Sequence, residues 1–392
     1  MKKVSLLIHH HTVAFQDDKG IWMQSFIAEW IINLSKYFDQ IGLLFHCSVE
    51  KKAAQDILVE NNKINLHSLG MPGKYYDAVN KRLRIKKVIK TIDNKYDVFL
   101  IRGITPRQSL VINNVNVRYA KKYYLLVGSQ KFDLTTLRIT SISELISIFF
   151  KFYRRHQFRK LIKNMSLLVN GTNLVSKNDY EKQPVFIPTN TISEKYYYKN
   201  FRRSKNNPIK LFYCGRIEAN KGIVELLNAL KALNELGYST NLEVVGNFCS
   251  KNFLYEVEDF VKTNGLERNI SFNGFVEFGE ALFEYYRSSD YFILPSYSEG
   301  FPHVIWEAAA NSCPIIATDI GGIGDVIKNR YHGLLIKPKE SNAIVQAVIE
   351  LEQNEKLKEK IIKNAYAEST KYSVQKCAKL LADFIFKDVQ FD

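Results

Sequence analysis

The stretch SEGFPHVIWEAAANSCPIIATDIGGIGD, residues 298–325, contains a helix-length segment followed by an apolar run. The helix is predicted to begin near Phe301, and Pro302 suits its first position because proline has no N–H to leave unsatisfied. The run PIIATD is typical of a strand that is buried on both faces of a parallel sheet. A helix and a buried strand joined this closely predict an α/β fold.

The same stretch places two glutamates eight positions apart, Glu299 in the turn before the helix and Glu307 two turns into it. The N–H groups of the first turn, from His303 and Val304 onward, combine with the helix dipole to favour an anion at the helix start. Glu307 lies roughly 7–8 Å further along the axis. A nucleotide sugar presents sugar hydroxyls, diphosphate and ribose hydroxyls in the same order. We therefore expect Glu299 to bind the sugar, the helix start to bind phosphate and Glu307 to bind the ribose.

Strand-like runs alternate with helix-length segments on both sides of this stretch. In the first half the runs are KVSLLIHHH, DVFLIRG, KYYLLVGS, SLLVNGT and PVFIPTN, and MQSFIAEWIINLSKYFD predicts an amphipathic helix. A second series starts at IKLFYCGRI and continues through NLEVVGN, ISFNGFV, YFILPS and PIIATD. The pattern predicts two doubly wound, Rossmann-like domains that face each other across a cleft, with the ligand at the carboxyl ends of the strands.

The predicted domain boundaries follow from a change in pattern between the two series. The segment NTISEKYYYKNFRRSKNNP is polar, basic and without periodicity, which is typical of a linker. We predict an N-terminal domain over 1–190, a linker over 191–207 and a C-terminal domain over 208–370. Helices over 371–392 are expected to return to the N-terminal domain.

Three further motifs occur in the second half, namely GRIEANKG at 215–222, LEVVGN and HGLLIKP. Together with the stretch EGFPHVIWEAAANSCPIIATDIGGIGDVI they resemble the retaining GT-B glycosyltransferases of family four, also called glycosyl transferases group 1. GRIEANKG is similar to the phosphate loop of that family, and the stretch that begins EGFPHVIWE is similar to its EX7E signature. The resemblance covers about residues 206–370, and it implies a GT-B architecture and sugar transfer from a nucleotide-diphosphate sugar, most commonly a UDP-sugar. It also implies that the domain over 1–190 binds the acceptor and the domain over 208–370 binds the donor.

The resemblance implies that Arg216 and Lys221 bind the donor diphosphate, with Glu299 as the third catalytic residue. A guanidinium and a lysine five positions apart, between a strand and a helix, also suit a phosphate clamp on chemical grounds. The donor-binding residues expected from the motifs are Gly215, Glu299, Gly300, Phe301, Pro302, His303, Val304 and Glu307. No D-x-D motif occurs, so no metal or other cofactor is expected, and fixed positive charge would stabilise the leaving diphosphate. The resemblance further implies retention of configuration through front-face attack, without a protein nucleophile.

The acceptor side is predicted from the segment that follows the first strand. His11 is our candidate for an acceptor contact at the strand end, and Gly20 is the one glycine in the loop that follows. The consecutive residues His9, His10 and His11 alternate between the faces of a strand, which argues against a shared metal site.

The charge distribution indicates an anionic partner for the first half. The chain has a net charge of +15, but residues 1–205 carry 35 Lys and Arg against 15 Asp and Glu, whereas residues 206–392 carry 20 against 25. Two basic, helix-length segments, 142–163 and 80–90, are typical of helices that lie on anionic lipid. We therefore expect contact with an anionic membrane surface and a glycan or lipid-pyrophosphate-linked acceptor, as in bacterial surface polysaccharide synthesis.

The cysteine and hydropathy patterns favour the cytoplasm as the location of the chain. The five cysteines are scattered, and no apolar run approaches the roughly 18 residues of a membrane span. The expected location is thus cytoplasmic and peripheral on the inner face of the cell membrane.

Two alternatives to glycosyl transfer remain open at this stage. A sugar-nucleotide epimerase of the same architecture would act on the donor alone. A non-catalytic nucleotide or nucleic-acid binder would suit the basic half, although no recognisable nucleic-acid module interleaves aromatic residues with the charges. We do not expect a nucleic-acid partner.

Overall fold

The structure is a computed structural model, and the chain divides into two compact units, 1–189 with 375–392 and 190–374. The residues that it describes are 4–52, 55–71, 78–92, 95–102, 121–126, 156, 165–169, 184–187, 192–201, 207–299, 302–320 and 322–390. The predicted helix 142–163 therefore lies outside the described residues except for position 156.

The first unit is built on a mixed sheet whose described strands are β1 Ser5–Gln16, β2 Ile21–Met23, β3 Gln40–Cys47, β4 Ile57–Val59, β5 Ile64–Ser68, β6 Val98–Arg102, β7 Lys121–Leu126, β8 Ser166–Val169 and β9 Val185–Phe186. Seven of them run parallel in the order β5-β3-β1-β6-β7-β8-β9. The order reverses between β1 and β6, which is the doubly wound arrangement.

The strand β1 extends beyond the parallel sheet, and the chain then reverses direction in a turn. Its end pairs antiparallel with β2, and β2 pairs antiparallel with β4. The connecting turn is closed by Asp17, whose side chain accepts hydrogen bonds from the N–H groups of Lys19 and Gly20. Gly20 has φ +141°, a conformation that side-chain-bearing residues rarely adopt. The segment predicted as a loop is thus a hairpin.

Three helices cover the described part of this sheet: α1 Ser25–Leu34, α2 Ala78–Ile92 and the last helix of the chain, Val374–Gln390. The buried face of α2 presents Ile85, Ile89 and Ile92 to the core. The last helix is tied to the sheet through Tyr123, whose hydroxyl donates to Asp388 at 2.7 Å.

The second unit contains one parallel sheet, with strands β10 Ile209–Cys214, β11 Thr240–Val245, β12 Ile270–Phe272, β13 Tyr291–Leu294, β14 Ile315–Thr318 and β15 Leu334–Ile336. Their order is β12-β11-β10-β13-β14-β15. This is the Rossmann order 3-2-1-4-5-6, with its switch point between β10 and β13. The predicted α/β class with two doubly wound sheets is confirmed.

Helices pack on both faces of the second sheet. They are α3 Ile223–Glu235, α4 Lys251–Thr263, α5 Glu280–Ser288, α6 His303–Ala310, α7 Ile323–Val326, α8 Ser341–Gln353 and α9 Glu355–Ser369, which makes the last helix of the chain α10. Alternate residues of β10 enter separate cores: Leu211 and Tyr213 pack on one face, Phe212 and Cys214 on the other. None of the helices in the described part of the chain is long and apolar enough to cross a membrane.

The residues predicted as a linker, 191–207, group with the second unit. There Tyr197 donates through its hydroxyl to the carbonyl of Ser369 at 2.8 Å, and Tyr198 donates through its backbone N–H to Ala310. The C-terminal segment divides at Val374, since residues 375–392 group with the first unit.

Candidate functional site

The candidate donor site lies where the order of the second sheet reverses. The loop after β10 begins at Gly215, and the loop after β13 runs through Ser296 to Glu299. In doubly wound sheets ligands bind in the crevice outside such a switch point, because the loops on its two sides separate there. The structure thus brings the GRIEANKG motif and the first glutamate of the quoted stretch to one crevice.

Lys221 and Glu299 meet directly in this crevice. The Nζ atom of Lys221 lies 2.6 Å from Oε1 of Glu299, and each side chain is only 13% exposed. Ser296 donates through its hydroxyl to the same carboxylate oxygen at 2.8 Å, and Thr318 donates to the Ser296 carbonyl at 2.6 Å. We call Lys221, Ser296 and Glu299 the carboxylate clasp. Charge-assisted hydrogen bonds of this length fix the carboxylate in one orientation.

Two glycines allow the loops around the clasp to approach closely. A Cβ atom on Gly222 would lie 2.1 Å from the carbonyl oxygen of Pro295, and one on Gly246 would lie 1.8 Å from that of Gly215. Both glycines have positive φ, +72° and +142°. Any larger residue at either position would push two loops of the site apart.

Arg216 stands at the edge of the site. Its guanidinium pairs with Glu218 at 3.1 Å, and its side chain is 69% exposed. Its backbone carbonyl accepts a hydrogen bond from the Tyr213 hydroxyl at 2.8 Å. The loop is therefore held at its backbone by Tyr213, while the Arg216 guanidinium is directed to Glu218 and not to the clasp.

The helix α6 starts at His303 and not near Phe301, so Pro302 precedes the first helical position, which was predicted for it. Pro302 is the N-cap residue, with extended backbone angles of φ −76° and ψ 125°. His303 and Val304 are half-buried in the first turn. The predicted donor residues Gly300 and Phe301 lie outside the described residues.

Glu307 lies in the second turn of α6 and is almost fully buried. It is 6% exposed, and Tyr286 of α5 donates a hydrogen bond to its Oε2 at 2.8 Å. Burial raises the pKa of Glu307 to about 7, and the hydrogen bond from Tyr286 opposes that rise. Among the described residues Glu307 makes no ion pair. A carboxylate held in this way can accept hydrogen bonds from ligand hydroxyls.

In the first unit, His11 is exposed at the edge where the sheet order reverses. Its neighbour His10 is paired in register with Arg102 of β6, and the rings of His10 and His11 lie 4.2 Å apart. Burial, and then the nearby charge of Arg102, lower the pKa of both histidines. The Arg102 guanidinium lies 4.4 Å from the ring centre of Trp30. Within the described residues, no three His, Cys, Asp or Glu side chains are grouped to hold a metal ion.

Three site residues are not indicated by the sequence patterns. Ser296 ends the run YFILPS and Tyr286 lies on an amphipathic helix, so both resemble ordinary structural residues. Tyr297 donates through its hydroxyl to Glu225 at 2.5 Å and through its backbone N–H to Asn220. Only the folded chain shows that Ser296 holds Glu299, that Tyr286 holds Glu307 and that Tyr297 joins the loop after β13 to the loop after β10.

Comparisons with known proteins give matches to glycosyltransferases. Residues 197–368 match the family model described as glycosyl transferases group 1. The uncharacterized glycosyltransferase MJ1178 of Methanocaldococcus jannaschii is 32% identical over 42% of the chain and 44% of its own length. The capsular polysaccharide biosynthesis glycosyltransferase CapM of Staphylococcus aureus is 27% identical over 47% of the chain and 46% of its own length. The chain thus spans less than half the length of these curated relatives.

A solved structure resembles the chain over its whole length. HepE from Anabaena, crystallised with UDP-glucose, has a TM-score of 0.71 at 16% identity, with 98% of this chain and 100% of that chain covered. At that identity the likeness shows the fold. The chain has the GT-B fold that the motifs predict.

Proposed function

We propose that the chain is a glycosyltransferase that moves a sugar from a nucleotide-diphosphate sugar to a glycan or lipid-linked acceptor. The observation that carries the proposal is the carboxylate clasp at the switch point of the second sheet. The family match over residues 197–368 includes every residue of the clasp.

The clasp can contact both the diphosphate and the sugar of the donor. Lys221 has three N–H donors, and one of them is used on Glu299, so the others can bind the diphosphate. Glu299 accepts hydrogen bonds from the sugar hydroxyls, with Ser296 holding its carboxylate in place. The exposed side chain of Arg216 exchanges Glu218 for the phosphate when the donor binds, and Glu307 binds the ribose.

The proposed reaction is metal-independent and retains configuration at the anomeric carbon. The acceptor hydroxyl attacks on the face from which the diphosphate leaves, and its proton passes to the leaving phosphate oxygen. Lys221, Arg216 and the first turn of α6 stabilise the negative charge that develops on that oxygen. Such donors are worth most in a site from which water is excluded.

We propose a UDP-sugar as donor and bacterial surface polysaccharide synthesis as the setting. The bound UDP-glucose of HepE supports the first choice, and the capsular polysaccharide role in the name of CapM supports the second. On the acceptor side we propose that His11 contacts the acceptor. The structure exposes His11 next to the buried Arg102.

We also propose that the first unit contacts an anionic membrane surface from the cytoplasmic side. The helix α2 buries its isoleucines and exposes a basic face, formed by Arg84, Lys86, Lys87 and Lys90. Leu83 is 62% exposed beside these charges. A basic face with an exposed leucine suits binding to anionic headgroups.

Sedimentation with anionic liposomes at low salt tests the membrane contact. Replacing Lys86, Lys87 and Lys90 by glutamate should abolish binding, whereas the same change at Lys251 and Lys262 on α4 should not. Equal binding by both variants would exclude the basic face of α2 as the membrane contact.

A donor panel tests the activity. UDP-, GDP-, ADP- and dTDP-sugars are compared by thermal shift with wild type, Lys221→Ala and the control Lys231→Ala on the exposed side of α3. One nucleotide class should stabilise the wild type and the control but not Lys221→Ala. Transfer of labelled sugar to lipid-linked glycans, with NMR of the product anomer, then tests retention. Conversion of the donor to its epimer without an acceptor would instead identify an epimerase.

A further inference from the structure

Tyr286 connects the second glutamate of the quoted stretch to the interior of the second unit. Its hydroxyl donates to Oε2 of Glu307 at 2.8 Å, and its side chain is fully buried. The contact joins α5 to α6 across 21 residues of sequence. A buried carboxylate is costly unless it is hydrogen-bonded, so this contact fixes which way Glu307 points.

The ring of Tyr286 is itself held in place by the strands that flank the switch point. Phe212 of β10 contacts it edge-on with ring centres 4.8 Å apart, and Phe292 of β13 lies at 5.3 Å. Because β10 and β13 also carry the loops of the donor site, the position of the Tyr286 hydroxyl is set by the same two strands.

We infer that Tyr286 is a positioning residue for nucleotide binding: its hydroxyl occupies one oxygen of the Glu307 carboxylate and orients the other toward the ribose of the donor. The inference rests on the proposed function, because it assumes that Glu307 binds the nucleotide. Among the described residues no hydrogen bond is made to Oε1 of Glu307, which leaves that oxygen available to ribose hydroxyls.

Two titratable side chains approach Glu307 from neighbouring elements. Tyr286 faces it from α5 and the Cys214 thiol from the end of β10, while α9 contributes the apolar Ala365 to the same core. On α6 itself, His303 lies one turn earlier. Burial raises the pKa of Glu307 and the Tyr286 hydrogen bond lowers it, so loss of the hydroxyl should raise that pKa further.

The test is the pH dependence of nucleoside diphosphate affinity, measured by calorimetry from pH 6 to 9 with UDP, GDP, ADP and dTDP. The variants are Tyr286→Phe, Glu307→Gln and the control Tyr285→Phe, whose hydroxyl lies on the same helix. The terminal phosphate of the nucleotide titrates near pH 6. For this reason each affinity is divided by the affinity of Glu307→Gln at the same pH. That variant lacks the titrating carboxyl, so the ratio removes the effect of the phosphate titration.

Wild type and Tyr285→Phe should show a relative affinity that rises as the pH passes neutrality. In Tyr286→Phe the midpoint of this rise should move to higher pH, with affinity about five-fold weaker at pH 7. An unchanged midpoint in Tyr286→Phe, with or without a lower melting temperature, would reduce Tyr286 to a structural residue and overturn the inference alone. Absence of binding of all four diphosphates to the wild type would overturn the proposed function and the inference with it.

Discussion

Replacing Glu307 by glutamine should make the second unit more stable at neutral and alkaline pH while weakening nucleotide binding. The carboxyl has a pKa of about 7 in the folded chain, against 4.5 for an ordinary glutamate. The folded state therefore holds the proton more tightly than the unfolded state, and stability is lost as the pH rises from 4.5 to 7. At about 1.4 kcal/mol for each pH unit, the loss reaches about 3 kcal/mol, of which about 2.5 kcal/mol falls between pH 5 and 8. Glutamine keeps an oxygen for Tyr286 but cannot ionise.

Hydrogen exchange of the amides in β13 and β14 measures this difference within the second unit, since a chain of two units need not unfold in one step. The protection of Glu307→Gln relative to wild type should rise about 70-fold between pH 5 and 8. The control Glu284→Gln removes an exposed charge of α5 and should show no such rise. A pH-independent ratio for Glu307→Gln would refute the reasoning, because it would mean that burial does not shift this carboxyl.

Three further predictions concern the packing and the two substrates. Gly246→Ala should lower the melting temperature well below that of Gly237→Ala, which also has positive φ but no atom within 4 Å of the new Cβ; equal losses would contradict the close approach of the loops. Ser296→Ala should lower kcat/KM for transfer about ten-fold through the lost hydrogen bond to Glu299, and unchanged kinetics would show that the clasp does not depend on it. His11→Ala should raise KM for the acceptor and leave donor affinity unchanged. A lower affinity for the donor would count against an acceptor role of His11.

The second unit could be predicted almost completely from the sequence. Its strands are buried on both faces and therefore appear as continuous apolar runs, and its helices have regular amphipathic patterns. The first unit was harder to predict. The strands β2 and β4 are three residues long, and β5 is largely half-buried at the sheet edge, so none of them produces a clear periodicity. In β3, Gly42 interrupts the apolar run because the Tyr96 ring packs where its side chain would be.

The site shows the same limit. The family resemblance implies donor roles for Lys221 and Glu299, and the helix start has a recognisable local signal for binding an anion. Their direct ion pair spans 78 residues, and the contact between Tyr286 and Glu307 joins two helices through a buried hydroxyl. Such pairings depend on which strands are neighbours at the switch point, and a single sequence without its tertiary contacts does not contain that information.

A crystal structure of the protein with UDP tests the central claim most directly. The account predicts the diphosphate within hydrogen-bonding distance of Lys221 Nζ and the first N–H groups of α6, with Oε1 of Glu307 accepting from the ribose. A nucleotide bound elsewhere, with the pair of Lys221 and Glu299 unchanged and Glu307 still enclosed, would contradict it.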